Sequence, residues 1–82
     1  MKRISNFLES IGTINRYMLL DRLRTDCDYF LGFGERSEKQ LWAGSVKEHI
    51  WCMKVLYLLF PINEKPEWLS MLDILEYEKR MS

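Results

Sequence analysis

The strongest hydrophobic pattern in this chain lies in residues 45–60, SVKEHIWCMKVLYLLF. Spaced at 100° per residue, one helical face carries Val46, His49, Ile50, Met53, Leu56, Tyr57 and Phe60. The opposite face is also apolar and carries Trp51, Cys52, Val55, Leu58 and Leu59. Only a narrow stripe with Lys47 and Lys54 is polar throughout, and a helix that is apolar nearly all round has neighbours on most sides. Residues 45–60 are therefore predicted to form the central helix of a small helical domain.

Two further helices are predicted on either side of this central helix. From residue 14 to residue 31 apolar side chains recur at helical spacing, with arginines and aspartates between them. Gly32 and Gly34 are expected to end that helix, because glycine readily adopts the positive φ of a helix C-terminus. The sequence SMLD at residues 70–73 fits a capping box and predicts a last helix over residues 71–80. In that last helix the side chains expected to pack are Leu72, Ile74, Leu75 and Tyr77.

The remaining segments predict shorter elements. Residues 1–12 suit a short N-terminal helix, with Thr13 as the N-cap of the next one. SEKQ at residues 37–40 and SVKE at residues 45–48 both fit capping boxes. They predict a short helical turn, a break at Gly44 and then the central helix; the alternative is one long helix from Ser37. No segment of the sequence alternates with period two. The prediction is thus an all-α single domain over residues 1–82, with three to four helices.

The pattern also predicts which helices pack together. Residues 14–31 should pack on the central helix, and the last helix should close one side of the core. Met53 lies in the middle of the first apolar face and is expected to be buried.

Composition narrows the classes of function. Twelve Lys and Arg residues balance twelve Asp and Glu residues, so the basic excess typical of a nucleic-acid-binding protein is missing and such a partner is not expected. The near-apolar run of residues 50–62 contains Lys54 and is shorter than the ~20 residues that span a bilayer, so no membrane partner is expected. Cys27 and Cys52 form no CxxC motif, and we expect both to be buried thiols in a cytoplasmic protein.

Candidate catalytic and metal-binding residues are few. His49 is the single histidine, and its place on an apolar helical face favours a hydrogen-bonded core residue over a catalytic one. A zinc site needs about four suitable ligands, which two scattered cysteines and one histidine do not supply. The sequence therefore predicts no catalytic residue, no metal and no cofactor, and it does not predict an enzyme.

The second apolar face of the central helix is the predicted partner-binding surface. Its residues Trp51, Val55, Leu58 and Leu59 lie roughly opposite Met53, so one neighbouring helix cannot cover both sets. Either the terminal segments bury this face, or it stays open for a protein partner or a second copy of the chain. Trp is favoured at the centre of such interfaces.

Three segments together resemble a large polyvalent protein-associated domain. They are LLDRLRTDCDYFLGFG at residues 19–34, LWAGSVKEHIWCMKVLY at residues 41–57 and KPEWLSMLDILEYEKRM at residues 65–81. Such domains occur within very long proteins of phages and conjugative elements and as small stand-alone reading frames. The resemblance implies a mobile-element protein made in the cytoplasm of a bacterial host, and it implies no catalytic residue, cofactor or substrate.

Two functions follow as hypotheses from this resemblance and the apolar surface. The first is a non-enzymatic protein-interaction module that inhibits a host defence complex, in the manner of an anti-CRISPR protein. The alternative is a nucleic-acid-binding accessory module of a mobile-element protein. The shared motif residues Arg22, Asp26, Cys27, Tyr29, Gly32, Trp42, Gly44 and Trp68 are interpreted as structural, with a shared binding site as the other reading.

Overall fold

The fold consists of four α-helices and one short 3₁₀ turn. The computed structural model describes residues 2–33 and 36–82, with the side chains of residues 6–33 and 36–82. The α-helices are α1 (Lys2–Ser10), α2 (Thr13–Gly32), α3 (Val46–Leu59) and α4 (Met71–Met81), and the 3₁₀ turn spans Glu38–Gln40. No strand occurs in the described residues. The all-α prediction is confirmed, and each of the three long helices ends within one residue of its predicted bounds.

The two ends of α2 differ from expectation in detail. Gly12, rather than Thr13, is the N-cap. Gly32 is the last helical residue and does not have a positive φ, so its predicted role as a left-handed helix stop is wrong. The helical hydrogen-bond pattern continues past it, because the Phe33 amide donates to the Tyr29 carbonyl at 2.8 Å. Gly34 lies outside the described residues.

Residues 36–45 contain the predicted break before α3. The 3₁₀ turn is followed by Gly44, whose φ of +84° is a conformation that favours glycine. Ser45 then caps α3, where its hydroxyl accepts from the Glu48 amide at 3.2 Å. The alternative of one long helix from Ser37 is therefore wrong.

The core surrounds α3, which packs against α1, α2 and α4. The buried apolar side chains come from every α-helix and from the loops between them: Leu8, Leu20, Leu23, Cys27, Phe30, Leu41, Ile50, Cys52, Met53, Leu56, Phe60, Leu69, Ile74 and Met81. Met53 is completely buried, as predicted, and Ile74 and Met81 are the α4 side chains buried in the core. The sequence pattern of α3 therefore identified the centre of the molecule.

Both cysteines are buried and unpaired. The Cys27 sulfur lies 3.6 Å from the Met53 sulfur, and burial raises the pKa of Cys27 to about 12 and that of Cys52 to about 11. A raised pKa keeps a thiol protonated and therefore poorly reactive at neutral pH. The predicted burial is confirmed; the thiol state in the cell stays a prediction.

Cationic side chains from other segments bind the C-terminal carbonyls of three helices. Arg16 donates to the Leu8 and Glu9 carbonyls of α1 at 3.1 and 2.8 Å. The Lys65 ammonium donates to the Tyr57 and Phe60 carbonyls at the end of α3, at 2.8 and 3.0 Å. Helix C-termini leave carbonyls without intrahelical donors and carry partial negative charge, so these cations both satisfy and complement them.

A cationic side chain also binds the C-terminal carbonyls of α4. Arg36 donates to the Arg80 and Met81 carbonyls at 3.1 and 3.0 Å, and its guanidinium lies 5.2 Å from the centre of the Phe30 ring. One side chain thus joins the segment after α2 to the last turn of α4.

Candidate partner-binding surface

The outer side of α3, which borders α4 through Lys54, is formed by residues four and three apart. Lys47, Trp51, Lys54 and Leu58 follow one another along this side. Lys47 and Leu58 are exposed, whereas Trp51 and Lys54 are partly buried. Leu58 has 67% of its surface exposed.

The four residues predicted to bind a partner occupy two environments. Trp51, Val55 and Leu59 are partly buried and pack against the core. Leu58 alone points into solvent. The neighbouring helices thus cover part of the second apolar face and leave its Leu58 edge open. Of the four, Leu58 is the most exposed side chain.

Helix α4 adds two exposed leucines that the sequence analysis had assigned to the core. Leu72 and Leu75 are 77% and 43% exposed, so their predicted packing is wrong. They lie on the helical line Leu72–Leu75–Lys79, while Ile74 and Met81 lie on the line that faces the core. No local signal separates the two lines, because Glu78 lies on the line of Ile74 and Met81 just as Lys79 lies on that of Leu72 and Leu75.

An ion pair joins the exposed edges of α3 and α4. The Lys54 ammonium lies 3.0 and 3.1 Å from the two oxygens of Glu78. Glu78 and Met81 also line a groove of about 680 Å³ together with Val46 and Ile50 of α3. The C-terminal end of α4 therefore lies beside the N-terminal half of α3, and the two helices are antiparallel.

His49 is a buried polar residue in the interface between α2 and α3, as its position in the sequence indicated. Its Nε2 lies 2.9 Å from the Leu23 carbonyl. A carbonyl oxygen only accepts, so Nε2 carries the ring proton and Nδ1 is the unprotonated nitrogen. Nδ1 is buried and has no hydrogen-bond partner among the described residues. Burial lowers the pKa of His49, against the opposing effect of the Leu23 hydrogen bond.

Several shared motif residues form contacts that hold the fold together. Asp26 accepts from the Arg22 guanidinium at 3.2 Å and from the Trp42 amide at 3.0 Å. That second bond fixes the turn before Gly44 to α2. The guanidinium carbon of Arg24 lies over the Trp68 ring, 5.2 Å from the centre of that ring. These contacts support the structural interpretation of the motif.

A smaller polar pocket of about 280 Å³ lies between α2 and α4. Its lining consists of Arg24, Trp68, Leu69, Asp73, Glu76, Tyr77 and Arg80. Several of these polar groups already have protein partners: Arg24 pairs with Asp21, Asp73 accepts from the Ser70 amide, and the Tyr77 hydroxyl donates to Asp28 at 2.6 Å. The pocket therefore belongs to the network that attaches α4 to α2.

The described residues contain neither a metal-binding cluster nor a membrane-spanning helix. No three or more His, Cys, Asp or Glu side chains in residues 2–33 and 36–82 lie close enough together to hold a metal ion. No helix within those same ranges combines the length and the hydrophobicity needed to cross a membrane.

A known protein family matches most of the chain. The family model described as large polyvalent protein-associated domain 11 matches residues 13–81. The match begins at the first residue of α2 and ends at the last residue of α4, so it leaves out α1. No curated protein and no solved structure matches the chain significantly.

Proposed function

Because this chain belongs to the large polyvalent protein-associated domain 11 family, we propose that it is a non-enzymatic protein-interaction module of a phage or other mobile element. It acts in the cytoplasm of the bacterial host. Membership of the family supports the association with phages and mobile elements. The interaction role is supported by the exposed apolar surface around Leu58.

The observation that carries the proposal is the exposure of Leu58 on a helix whose other sides are covered by α1, α2 and α4. Leucine at 67% exposure in this position adds nothing to the core. Together with the partly buried Trp51 and Val55 beside it, Leu58 forms an apolar ridge on the outside of the molecule. Contiguous apolar patches on the surface of a small protein often mark sites of protein interaction.

The partner proposed for this ridge is a protein of a host defence complex. By binding to the surface of that protein, the module inhibits the complex. A mobile element gains from such inhibition whenever it enters a defended cell. Binding through a small ridge needs no catalytic group, and none is assigned.

The test compares two variants that are matched in exposure. Leu58→Glu places a charge on the ridge, and Met18→Glu places the same charge on α2, where Met18 is 66% exposed. Each tagged variant and the wild type are used to purify proteins from bacterial lysate. We expect a specific protein to be retained by the wild type and by Met18→Glu and to be lost with Leu58→Glu, while circular dichroism shows all three equally folded.

Leu58 is a better test position than Trp51. Trp51 packs partly against the core, so Trp51→Glu would combine a loss of binding with a loss of stability. A retained set of proteins that is identical in all three samples would contradict the proposal.

The defence role has its own readout. Expression of the wild-type chain should raise the plating efficiency of a phage on at least one strain that carries a defence system, and Leu58→Glu should not. Unchanged plating across a panel of defended strains would remove this role. Binding to duplex DNA that weakens steeply with salt would instead favour the nucleic-acid-binding alternative.

A further inference from the structure

The outer face of α2 is exposed to solvent along the whole length of the helix. Its six side chains fall within a sector of about 100° on the helical projection. They are Ile14, Met18, Arg22, Thr25, Tyr29 and Phe33, and all six are exposed. Phe33 follows the last helical residue, but its amide donates to the Tyr29 carbonyl, so the helical geometry extends to it. The buried side chains of α2 lie on the opposite side of the helix.

The spacing along this outer face is the same in both directions of the chain. Ile14 and Met18 lie four residues apart at its start, and a second apolar pair with the same spacing lies at its end. The pairs Ile14 with Phe33, Met18 with Tyr29 and Arg22 with Thr25 share one midpoint, between residues 23 and 24. A two-fold interface brings the same patch of both copies into contact, so the patch must suit its own reversed image. The outer face of α2 meets that requirement.

The apolar area of this face is large for a small domain. Ile14, Met18, Tyr29 and Phe33 are 75%, 66%, 44% and 84% exposed. At these fractions four side chains of this size leave on the order of 500 Å² of apolar surface open. Two copies together would bury on the order of 1,000 Å², which is close to the lower limit of specific interfaces.

The polar middle of the face also suits a second copy. The Arg22 side chain is 60% exposed and lies 3.2 Å from the Asp26 carboxylate of its own chain. If a second α2 runs antiparallel about the shared midpoint, its Asp26 comes within about 1.5 Å of the level of Arg22 along the helix axis. A guanidinium has five N–H donors, so Arg22 has donors left for that second carboxylate.

The charges at the edges of the face do not favour a partner of one sign. Asp21 lies at the edge opposite Arg22 and is paired with Arg24 at 2.6 Å. Asp28 lies farther toward α4, where it accepts from the Tyr77 hydroxyl. The chain has twelve basic and twelve acidic residues, so two copies carry no net charge that opposes their association.

We propose that the chain self-associates through the outer face of α2, with the two copies of this helix packed antiparallel about a two-fold axis. Met18 of each copy lies against Tyr29 of the other, and Ile14 lies level with Phe33 of the other. Met, Tyr, Phe and Arg, which make up most of this face, are the residue types enriched at protein interfaces. The inference goes beyond the proposed function, because this face is separate from the Leu58 edge of α3.

The size of the interface limits its affinity. Interfaces of about 1,600 Å² have dissociation constants from micromolar to picomolar, so a smaller one is expected to be weaker, at about 10–100 μM. Below that concentration the chain is a monomer, and its fold does not depend on the dimer.

The first test measures the oligomeric state by sedimentation at concentrations from about 5 to 500 μM, which span the expected dissociation constant. The wild type should change from monomer to dimer over this range. Met18→Glu should raise the dissociation constant at least tenfold, and Arg22→Ala should raise it about two- to fivefold, as for an exposed ion pair. Leu72→Glu is the matched control, because Leu72 is 77% exposed on α4, and it should leave the dissociation constant unchanged. Circular dichroism checks the fold of each variant.

The second test measures the direction of the two helices with a short bismaleimide cross-linker. Cys27 and Cys52 are buried, so the wild type gives the background. A mixture of Met18→Cys and Tyr29→Cys should cross-link at least tenfold faster than either variant alone. In the antiparallel dimer the two copies of residue 18 lie about 16 Å apart along the axis. Thr25→Cys, which lies near the two-fold axis, should cross-link with itself.

The contrary outcomes are equally specific. A wild type that stays monomeric at every concentration overturns the proposal, as does a dimer that Met18→Glu leaves unchanged. A dimer that Leu72→Glu or Leu58→Glu dissociates would place the interface elsewhere, and cross-linking of Met18→Cys with itself would make the helices parallel. The proposed function fails separately, since it requires the loss of a lysate protein with Leu58→Glu, a variant that should keep the dimer.

Discussion

His49 is the residue at which burial and polarity conflict most directly. It lies between α2 and α3 with no solvent exposure, and only one of its two ring nitrogens has a hydrogen-bond partner among the described residues. Protonation would create a second N–H in a place that offers it no acceptor. The folded protein therefore favours the neutral ring, and burial lowers the pKa of His49 below its ordinary value of 6.5.

The lowered pKa predicts a dependence of stability on pH. Above pH 6.5 the ring is neutral in both the folded and the unfolded chain, so the effect is absent. As pH falls below 6.5 the unfolded chain binds a proton before the folded chain does, and the free energy of unfolding falls. Urea denaturation at pH 7.5, 6.5 and 5.5 should show this loss.

His49→Gln provides the control for this pH dependence. A glutamine amide can donate to the Leu23 carbonyl and does not titrate. We expect the variant to lose most of the change in stability between pH 7.5 and 5.5. The same slope in both proteins would show that another group titrates.

Met53 tests the identity of the core at the scale of one side chain. It is completely buried and contacts the Cys27 sulfur. Met53→Ala should lower the free energy of unfolding by about 2–5 kcal/mol, because it removes buried apolar surface and leaves a cavity. Met18→Ala, on the exposed side of α2, should change it by less than about 0.5 kcal/mol. Similar urea midpoints for the two variants would contradict the assignment of the core.

At the scale of the helices, the C-terminal ends of three helices depend on donors that lie outside the helix itself. The carbonyls at the C-termini of α1, α3 and α4 receive donors from Arg16, Lys65 and Arg36. Each of these donors belongs to a different element or loop from the helix it caps. Neighbouring helices and loops therefore satisfy the last carbonyls of these helices.

Lys65 provides the test of this capping. Lys65→Met keeps most of the aliphatic stem but removes the donor to the Tyr57 and Phe60 carbonyls and the charge 4.6 Å from the Tyr57 ring centre. We expect the free energy of unfolding to fall by about 1–2 kcal/mol, as for a partly exposed charged hydrogen bond. Hydrogen exchange should speed up most in the last turn of α3.

Lys39→Met is the matched control, since it removes a lysine from the exposed face of the 3₁₀ turn. It should leave the urea midpoint nearly unchanged. If Lys39→Met and Lys65→Met were equally destabilised, the loss would reflect overall charge and not the cap.

At the scale of the whole molecule, α1 belongs to the same core although the family match begins after it. Leu8 is completely buried, α1 packs on α3, and Arg16 of α2 binds the α1 carbonyls. Leu8→Ala should therefore destabilise the entire protein by about 2–5 kcal/mol in a single transition. Matching curves from Trp fluorescence and helical circular dichroism would support this; an early loss of part of the helical signal would show that α1 unfolds separately.

The sequence by itself determined the elements of this fold. The apolar period of α3, the Gly44 break and the Ser70 capping box are local signals, because each depends on residues within one or two turns. They identified the all-α class, the bounds of the long helices and the burial of Met53 and His49. The three motif segments likewise identified the family without any tertiary information.

Only the tertiary structure decided which apolar residues remained outside. Leu72, Leu75 and Leu58 have helical spacings as suitable for packing as those of Ile74 and Leu56, but each helix has a limited number of neighbours. Which side of α4 faces α3, and which edge of α3 stays uncovered, depend on contacts between residues distant in sequence, such as Lys54 with Glu78 and Tyr77 with Asp28. Periodicity fixes the faces of a helix, whereas the arrangement of the helices fixes which face is buried.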